Sequence, residues 1–167
     1  DVYKRQGVDR NAPTLTLDGF VQVDLGEPAA INDAVEQLPA KVDALANIAG
    51  VPGTAPAELV GRVNYLGLRH FTHRVLERMG EGGSIVNIAS ILGAEWPQRL
   101  EQHRALGATT SFDEGAKWLA AHPVAQETCY QYFKEALIVW TTTQSQKIFM
   151  ERGCLLYTSD AATILLV

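Results

Sequence analysis

Short apolar stretches alternate with longer stretches of helical periodicity along the first half of the chain. Residues 20–24 alternate apolar and polar side chains, as a strand does, and residues 29–38 then repeat apolar side chains at helical spacing. The same order returns twice, with glycine and proline in the turns. The predicted strands are 20–24, 42–47 and 84–89, and the predicted helices between them are 29–38 and 56–79. Strands and helices that alternate in this way pair their strands in parallel and predict an α/β fold.

The second half of the chain is predominantly helical. Two short helical segments are predicted, one from Trp96 to about Leu106 and one from Ser111, whose spacing to Glu114 is that of a capping box. A long helix is then predicted from about 124 to about 150. Because we find no internal repeat and no linker composition, the sequence predicts one domain.

Composition and charge exclude several classes of function. The chain has 167 residues, of which 47% are hydrophobic and 20% are charged, as in an ordinary globular domain. A formal net charge of −5 argues against a nucleic-acid partner. Because no apolar run approaches the roughly 20 residues that span a bilayer, we expect no membrane segment. The two cysteines, Cys129 and Cys154, indicate neither disulfides nor zinc, so we expect a cytoplasmic protein.

Histidine spacing gives no stronger indication of a metal. His70 and His73 lie three positions apart on the predicted helix 56–79, but no third ligand follows at a suitable distance. A solvated helix face is the better interpretation. The sequence therefore predicts no metal site.

The two ends of the chain look foreign to the domain between them. Residues 1–6 and 154–167 resemble the translated ends of a sequencing adaptor, and such ends are excluded from fold reasoning. The alternative is a pair of natural termini. We therefore expect the native domain to cover residues 7–153.

Tyr130 and Lys134 are the first candidates for chemistry. Their spacing of four places both side chains on one face of the long predicted helix. A nearby cation favours the phenolate form of a tyrosine and makes it a better base near neutral pH. The pair alone is weak evidence, because a packed tyrosine beside a solvated lysine produces the same pattern.

Three further polar positions precede this pair along the chain, each at a distinct predicted element. Asn47-Ile-Ala-Gly50 follows a predicted strand, Asn64 lies in the predicted helix 56–79, and Ser90 ends the predicted strand 84–89. With Tyr130 and Lys134, this arrangement resembles the short-chain dehydrogenase/reductase family. The resemblance predicts a Rossmann-like, doubly wound parallel sheet and an enzyme that moves hydride between an alcohol and a nicotinamide cofactor.

The family assigns a role to each matching position. Ser90 would orient the reacting oxygen, Tyr130 would take the proton, Lys134 would favour the phenolate, and Asn64 would help to hold a proton-relay water. The resemblance thus implies catalytic roles for Ser90, Asn64, Tyr130 and Lys134, and cofactor contacts for Asp9, Asp24, Asn47, Ala49, Gly50 and Lys134.

Two acidic residues indicate NAD as the cofactor. Asp9 resembles the carboxylate that binds the adenosine ribose in the family and would repel the 2′-phosphate of NADP, and Asp24 resembles the aspartate beside the adenine. The alternative is a pair of ordinary exposed acids at strand ends. Arg10 directly follows Asp9.

The 40 positions between Ser90 and Tyr130 exceed the usual gap in this family. An insertion of residues 91–129 of this kind resembles the branch that contains coniferyl-alcohol dehydrogenases and 3α-hydroxysteroid dehydrogenases. Because it leaves at Ser90 and returns at Tyr130, we predict that it lies over the reaction centre. Trp96, Phe112 and Trp118 either supply aromatic surface to the substrate or pack the insertion.

The resemblance covers only part of the family's domain. Its first strand, with the Gly-rich turn that binds the pyrophosphate, and its part after the long helix have no counterpart in residues 7–153. We therefore expect an incomplete sheet in which the strand 42–47 has one open edge. We also expect that the chain by itself neither binds NAD nor catalyses the oxidation of an alcohol.

The resulting functional hypothesis is an NAD-dependent alcohol dehydrogenase. Its substrate would be an aromatic allylic alcohol such as coniferyl alcohol, or a 3α-hydroxysteroid, and the parent protein would form a homo-oligomer. The alternatives are a catalytically silent nucleotide-binding scaffold of the same fold and an epimerase or dehydratase of the family's extended branch.

Overall fold

Five parallel strands form the centre of the protein, in a computed structural model that describes residues 4–159. The strands are β1 (Gln6–Asp9), β2 (Gly19–Gln22), β3 (Val42–Asn47), β4 (Met79–Ile88) and β5 (Leu155–Ser159). Strands β1 and β2 form one parallel pair, and a second parallel sheet has the order β3-β4-β5. The predicted α/β class with parallel pairing is thus confirmed.

Helices connect and cover these strands. They are α1 (Pro28–Glu36), α2 (Ala57–Gly61), a π-helical turn (Arg62–Gly67), α3 (Leu68–Leu76), α4 (Leu100–Gly107), α5 (Phe112–Ala121) and α6 (Cys129–Arg152). Short 3₁₀ turns lie at Ile91–Gly93, Trp96–Arg99 and Gln126–Thr128. The long helix starts later than predicted, and it ends at Gly153, whose φ of 64° forms a left-handed C-cap.

The apolar core lies where α3 and α6 pack together against the three-stranded sheet. Val75 of α3, Ile85 of β4 and Leu137 of α6 are almost completely inaccessible to solvent, and they belong to one continuous cluster. This packing fixes α6 relative to the end of β4. The relation between these two elements determines the geometry of the site described below.

Strand β4 begins earlier than the sequence predicted. The glycines at 80–83 were expected to form a loop, but β4 starts at Met79, which pairs with Val42. The register shifts before the next pair, Ala44 and Ser84, so extra residues bulge from β4. Gly82 adopts a φ of 84° in this bulge, which a glycine tolerates without strain.

Strand β5 was not foreseen, because residues 154–167 had been left outside the fold. Leu156 is 5% exposed and pairs with Ile85 in the centre of the sheet. Leu156 is buried whereas its neighbours Leu155 and Tyr157 are exposed, as in a strand with one buried face. The non-native origin of residues 1–6 and 154–167 stays a prediction, and residues 1–3 and 160–167 of these ends lie outside the described residues.

Strand β3 has one open edge, as expected. Among the strands within residues 4–159 it pairs only with β4, and β1 pairs only with β2. The backbone groups on the free edges of β1 and β3 therefore have no strand partner in the described part of the chain.

Candidate active site

Four of the predicted site residues lie at or just after the carboxyl ends of strands. Asp9 ends β1, Asp24 follows β2, Asn47 ends β3 and Ser90 follows β4. Parallel strands bring such positions to one edge of a sheet, where open α/β folds bind their ligands. The fold therefore places these residues where a ligand site is expected.

Tyr130 and Lys134 lie in the first two turns of α6, beside the end of β4. The Lys134 ammonium donates a 2.6 Å hydrogen bond to the carbonyl oxygen of Ile88, the last residue of β4. The same ammonium lies 5.6 Å from the centroid of the Tyr130 ring. Burial lowers the pKa of Lys134. The predicted common face is thus confirmed, and the lysine links it to the strand that carries Ser90.

Ser90 forms the start of the 3₁₀ turn that leaves β4. Its Oγ accepts a 3.2 Å hydrogen bond from the backbone amide of Leu92. The turn packs closely on α6, because a Cβ at Gly93 would lie 3.1 Å from the carbonyl oxygen of Lys134. Ser90, Trp96 and neighbouring residues line an open cleft of about 250 Å³. The structure therefore brings Ser90 and the start of α6 to one place.

Asn64 supports the turn after β3. It lies in the π-helical turn, and such turns are frequent at functional sites. Its side-chain oxygen accepts from the amide of Val51 at 2.8 Å, and its side-chain nitrogen donates to the Val51 carbonyl at 2.9 Å. A Cβ at Gly50 would lie only 3.0 Å from the Asn64 oxygen. Asn64 thus holds the turn 47–51, and its role in a proton relay stays a prediction.

A second contact ties this loop to α6. A Cβ at Gly53 would lie 2.9 Å from the Cβ of Tyr130, so only glycine allows this approach. The Gln126 side chain donates to the carbonyls of Gly53 (3.0 Å) and Ala55 (2.8 Å) and accepts from the amide of Ala57 (2.9 Å). Sequence reasoning missed Gln126, because nothing in its local pattern indicates contacts about 70 positions away.

The Asn47 side chain belongs to the core. Its nitrogen donates to the Thr72 hydroxyl and to the Asn87 side-chain oxygen, both at 2.8 Å. Asn87 in turn donates to the Thr141 hydroxyl at 2.9 Å. This buried network joins β3, β4, α3 and α6. Because the Asn47 side chain is occupied, only its backbone could contact a cofactor. The cofactor contacts of Asn47, Ala49 and Gly50 stay predictions.

Asp9 and Asp24 are half-buried and each accepts a backbone hydrogen bond. One Asp9 oxygen accepts from the amide of Asn11, and one Asp24 oxygen accepts from the amide of Gly26, both at 2.8 Å. These bonds hold each carboxylate in a turn beyond its strand. A carboxylate fixed in this way fits a ribose hydroxyl, which donates to it, better than a phosphate, which it repels.

The insertion begins next to Ser90 and continues into α5, which packs against the π-helical turn, where a Cβ at Gly115 would meet Leu66. Its position over the reaction centre stays a prediction. Phe112 packs against the Arg62 guanidinium and His70, and Trp118 stacks on His122 at 4.1 Å. The prediction of aromatic surface at the site thus fits Trp96 alone of the three aromatic residues.

This course has a physical reason. The apolar side of α5 meets apolar residues of the π-helical turn and α6, including Leu66 and Phe133. A larger cavity of about 360 Å³ lies between these elements. It is bordered by Arg62, whose guanidinium already binds the Gly26 carbonyl and Glu27. We assign the site to the region of Ser90 instead, because Lys134 binds the last carbonyl of β4, two residues before Ser90.

The candidate histidines are engaged in packing. His70 bonds Asn32 at 2.9 Å, and His73 meets the Trp140 ring edge to face. Within residues 4–159, no cluster of three His, Cys, Asp or Glu side chains is placed to hold a metal ion. In the same range, no helix has the length and apolar character that crossing a bilayer requires.

Known proteins resemble the chain over most of its length. Coniferyl-alcohol dehydrogenase of Pseudomonas sp. (strain HR199 / DSM 7063) is 61% identical over 144 residues, which make up 86% of the chain and 56% of that enzyme. No protein-family model matches the chain. The chain therefore spans little more than half the length of this relative.

Solved structures agree with this resemblance. The 3-alpha-hydroxysteroid dehydrogenase of Pseudomonas sp. B-0831, complexed with NADH, matches with a TM-score of 0.72 and 22% identity over 92% of the chain and 60% of that structure. The chain has the short-chain dehydrogenase/reductase fold. A short-chain dehydrogenase of Burkholderia cenocepacia J2315 in complex with NADP matches at a TM-score of 0.62 and 21% identity, over 85% of the chain and 51% of that structure. The predicted Rossmann-like fold and the resemblance to the coniferyl-alcohol and 3α-hydroxysteroid branch are confirmed.

Proposed function

We propose that the chain carries the catalytic part of an NAD-dependent alcohol dehydrogenase. The observation that carries this proposal is the hydrogen bond from Lys134, one turn after Tyr130, to the last carbonyl of β4, two residues before Ser90. A half-buried phenol, an ammonium held near its ring and a serine hydroxyl are the groups that proton transfer from an alcohol requires.

The residues of the site divide the work in this proposal. Tyr130 removes the hydroxyl proton of the alcohol, and the positive charge of Lys134 favours the phenolate that accepts it. The Ser90 hydroxyl orients the reacting oxygen. When bound, the nicotinamide cofactor accepts the hydride that leaves the alcohol carbon. Asn64 keeps the loop against Tyr130 and passes the proton on through a relay water.

Asp9 supports NAD rather than NADP as the cofactor. Its half-buried carboxylate lies at the end of β1, where a negative charge would repel a 2′-phosphate and would accept from a ribose hydroxyl. Known structures of this fold hold NADH in one case and NADP in another, so the fold leaves the choice open. The local charge at Asp9 is therefore the feature on which this part of the proposal rests.

An aromatic allylic alcohol of the coniferyl-alcohol type is the substrate that we favour. The relative of that name is 61% identical, whereas the hydroxysteroid dehydrogenase structure is 22% identical. Trp96, half-buried in the Ser90 cleft, offers a flat apolar surface to such a ring. The buried, unpaired cysteines support a reducing, cytoplasmic location.

The chain of 167 residues is not expected to turn over by itself. No strand within residues 4–159 joins the open edges of β1 and β3, so the β1-β2 pair that carries Asp9 is not hydrogen-bonded to the sheet that carries Ser90. Both sheets have to hold the cofactor at once. An active purified chain of 167 residues would refute this part of the proposal.

A chimera tests the function in a chain of full length. In this chimera, the matched 144 residues of the Pseudomonas coniferyl-alcohol dehydrogenase are replaced by those of the present chain. Formation of reduced cofactor is followed with coniferyl alcohol or a 3α-hydroxysteroid, and with NAD or NADP. We expect coniferyl alcohol to reduce NAD fastest. If neither alcohol reduces either cofactor, the chain is better described as a silent nucleotide-binding scaffold.

A further inference from the structure

Buried charge joins the insertion to the catalytic helix. His103 of α4 and Glu135 of α6 are both completely inaccessible to solvent, and His103 Nε2 lies 2.9 Å from Glu135 Oε2. The other Glu135 oxygen accepts from Gln131 at 2.9 Å and from Arg99 at 3.4 Å. A buried carboxylate is tolerated only with such partners, so Glu135 binds the insertion at two points.

A second buried charge holds the other end of α4. Arg69 of α3 is 6% exposed and donates to the Leu106 carbonyl at 3.1 Å and to the Thr109 hydroxyl at 3.2 Å, and also to the Thr109 carbonyl. No carboxylate within residues 4–159 forms an ion pair with it. Its charge therefore meets the carbonyls at the negative end of α4.

Both anchors lie on helices that carry candidate catalytic residues. Glu135 directly follows Lys134, and Arg69 lies on the same continuous helical stretch as Asn64. From α6, Gln131 also reaches the Glu95 carboxylate at 3.2 Å. Glu95 and Arg99 flank the turn that holds Trp96, which lines the cleft with Ser90. The position of Trp96 is thus tied to α6 on both sides.

Stability alone does not require these charges. Glu135 lies beside buried, largely apolar residues of α6, namely Tyr132, Phe133 and Ala136. An apolar replacement of a buried ion pair is often neutral or stabilising, whereas an ionic contact fixes one relative position of two elements. We propose that Glu135 and Arg69 are positioning residues that fix the wall formed by Trp96 relative to Ser90 and Tyr130. Their effect on a ring alcohol rests on the proposed function, but the anchoring does not.

Hydrogen exchange in the chain of 167 residues tests the anchoring. We compare Glu135→Gln, which keeps the shape and removes the charge, with Glu101→Gln on the exposed side of α4. Amides of residues 95–107 are expected to exchange about tenfold faster in E135Q and at the normal rate in E101Q. Arg69→Gln should loosen residues 104–109 in the same way, with Arg104→Gln as its control. Equal exchange in E135Q and E101Q, or no protection of 95–107 in the unaltered chain, would overturn the proposal.

Steady-state kinetics of the chimera test the positioning. E135Q is expected to raise the KM for coniferyl alcohol about tenfold, while kcat and the KM for NAD change less than about twofold. A merely structural loss would lower kcat through the fraction of active enzyme and leave both KM values unchanged, and that result would overturn the positioning role. If the unaltered chimera turns over no alcohol, the proposed function fails, and hydrogen exchange still decides whether Glu135 anchors the insertion.

Discussion

Tyr130 and Glu135, on two sides of α6, differ in how completely their polar atoms are satisfied. On one side, Tyr130 and Lys134 are half-buried, and the Tyr130 hydroxyl has no hydrogen-bond partner among residues 4–159. On the other side, Glu135 is inaccessible to solvent and each of its oxygens has a partner. The Glu135 carboxylate thus uses its hydrogen-bonding capacity to fix neighbouring elements, whereas the Tyr130 hydroxyl keeps its own unused.

Two tyrosines sharpen this comparison. Burial raises the pKa of Tyr132, which is 4% exposed and whose hydroxyl has no partner among the described residues. Such a phenol stays protonated and packs against His103. Tyr130, two positions earlier, lies beside the Lys134 ammonium instead. The sequence-based interpretation of Tyr132 as a packing residue is confirmed, and Tyr130 is the candidate base.

The largest effect on kcat is expected when the hydroxyl of Tyr130, but not that of Tyr132, is removed. In the chimera, Tyr130→Phe should lower kcat about a thousandfold, because it removes the group that takes the proton. Tyr132→Phe, the matched control, should leave kcat almost unchanged, because its hydroxyl makes no hydrogen bond within the described chain. Initial rates of NADH formation measure both. Equal rates for the two variants would contradict the assignment of Tyr130 as the base and Tyr132 as a packing residue.

Removing the cation should have the next largest effect. Lys134→Met is expected to lower kcat about a hundredfold, since the phenolate of Tyr130 loses its neighbouring positive charge. Lys117→Met, at an exposed position of α5, serves as the control. Initial rates at saturating alcohol and NAD are compared. A Lys134→Met chimera as fast as the Lys117→Met chimera would contradict the role of the lysine.

Loss of the buried polar network should affect stability rather than chemistry. Asn47→Ala removes the donor that binds the Thr72 hydroxyl and the Asn87 side-chain oxygen and is expected to lower the free energy of unfolding by about 2 kcal/mol. Asn11→Ala, at an exposed turn, should change it by less than about 0.5 kcal/mol. Urea unfolding of the 167-residue chain measures both variants. A stability unchanged by Asn47→Ala would mean that the network contributes nothing to the packing of α6 on the sheet.

The smallest effect is a dependence of stability on pH. Burial lowers the pKa of His70, His73 and His103 below the ordinary value of 6.5. The unfolded chain therefore binds more protons than the folded chain, so stability should be full above pH 6.5 and decrease as the pH falls below it. Urea midpoints at neutral and mildly acidic pH test this. His103→Gln should weaken the dependence of stability on pH. A chain that becomes more stable in acid would show that folding does not lower the pKa of these histidines.

Local patterns sufficed to predict several elements and the common face of Tyr130 and Lys134. Strand β3 has the predicted bounds, because its turns and apolar residues mark both ends. The spacing of Tyr130 and Lys134 sufficed to predict their common face, since helix geometry alone determines it. Ser90 at the end of β4 could be predicted for a similar reason, because the strand pattern ends there.

Contacts between distant segments could not be predicted in this way. His103 and Glu135 are 32 positions apart, and only the packing of α4 on α6 brings them together. The sequence does place a charged residue, Glu135, beside the apolar residues Phe133 and Ala136, which indicates a buried charge. It does not indicate which residue pairs with that charge. The course of α5 likewise depends on the apolar surface that it meets, which the ends of the insertion do not reveal.

Transfer of deuterium from the alcohol to the cofactor tests the role of Tyr130 in hydride transfer. The chimera is mixed with NAD and coniferyl alcohol that carries deuterium on the carbinol carbon, and the reduced cofactor is examined by mass spectrometry. The account predicts reduced cofactor with one deuterium, formed by the unaltered chimera and the Tyr132→Phe variant and almost absent with Tyr130→Phe. Binding of NAD without any labelled reduced cofactor, or equal label with Tyr130→Phe, would contradict it.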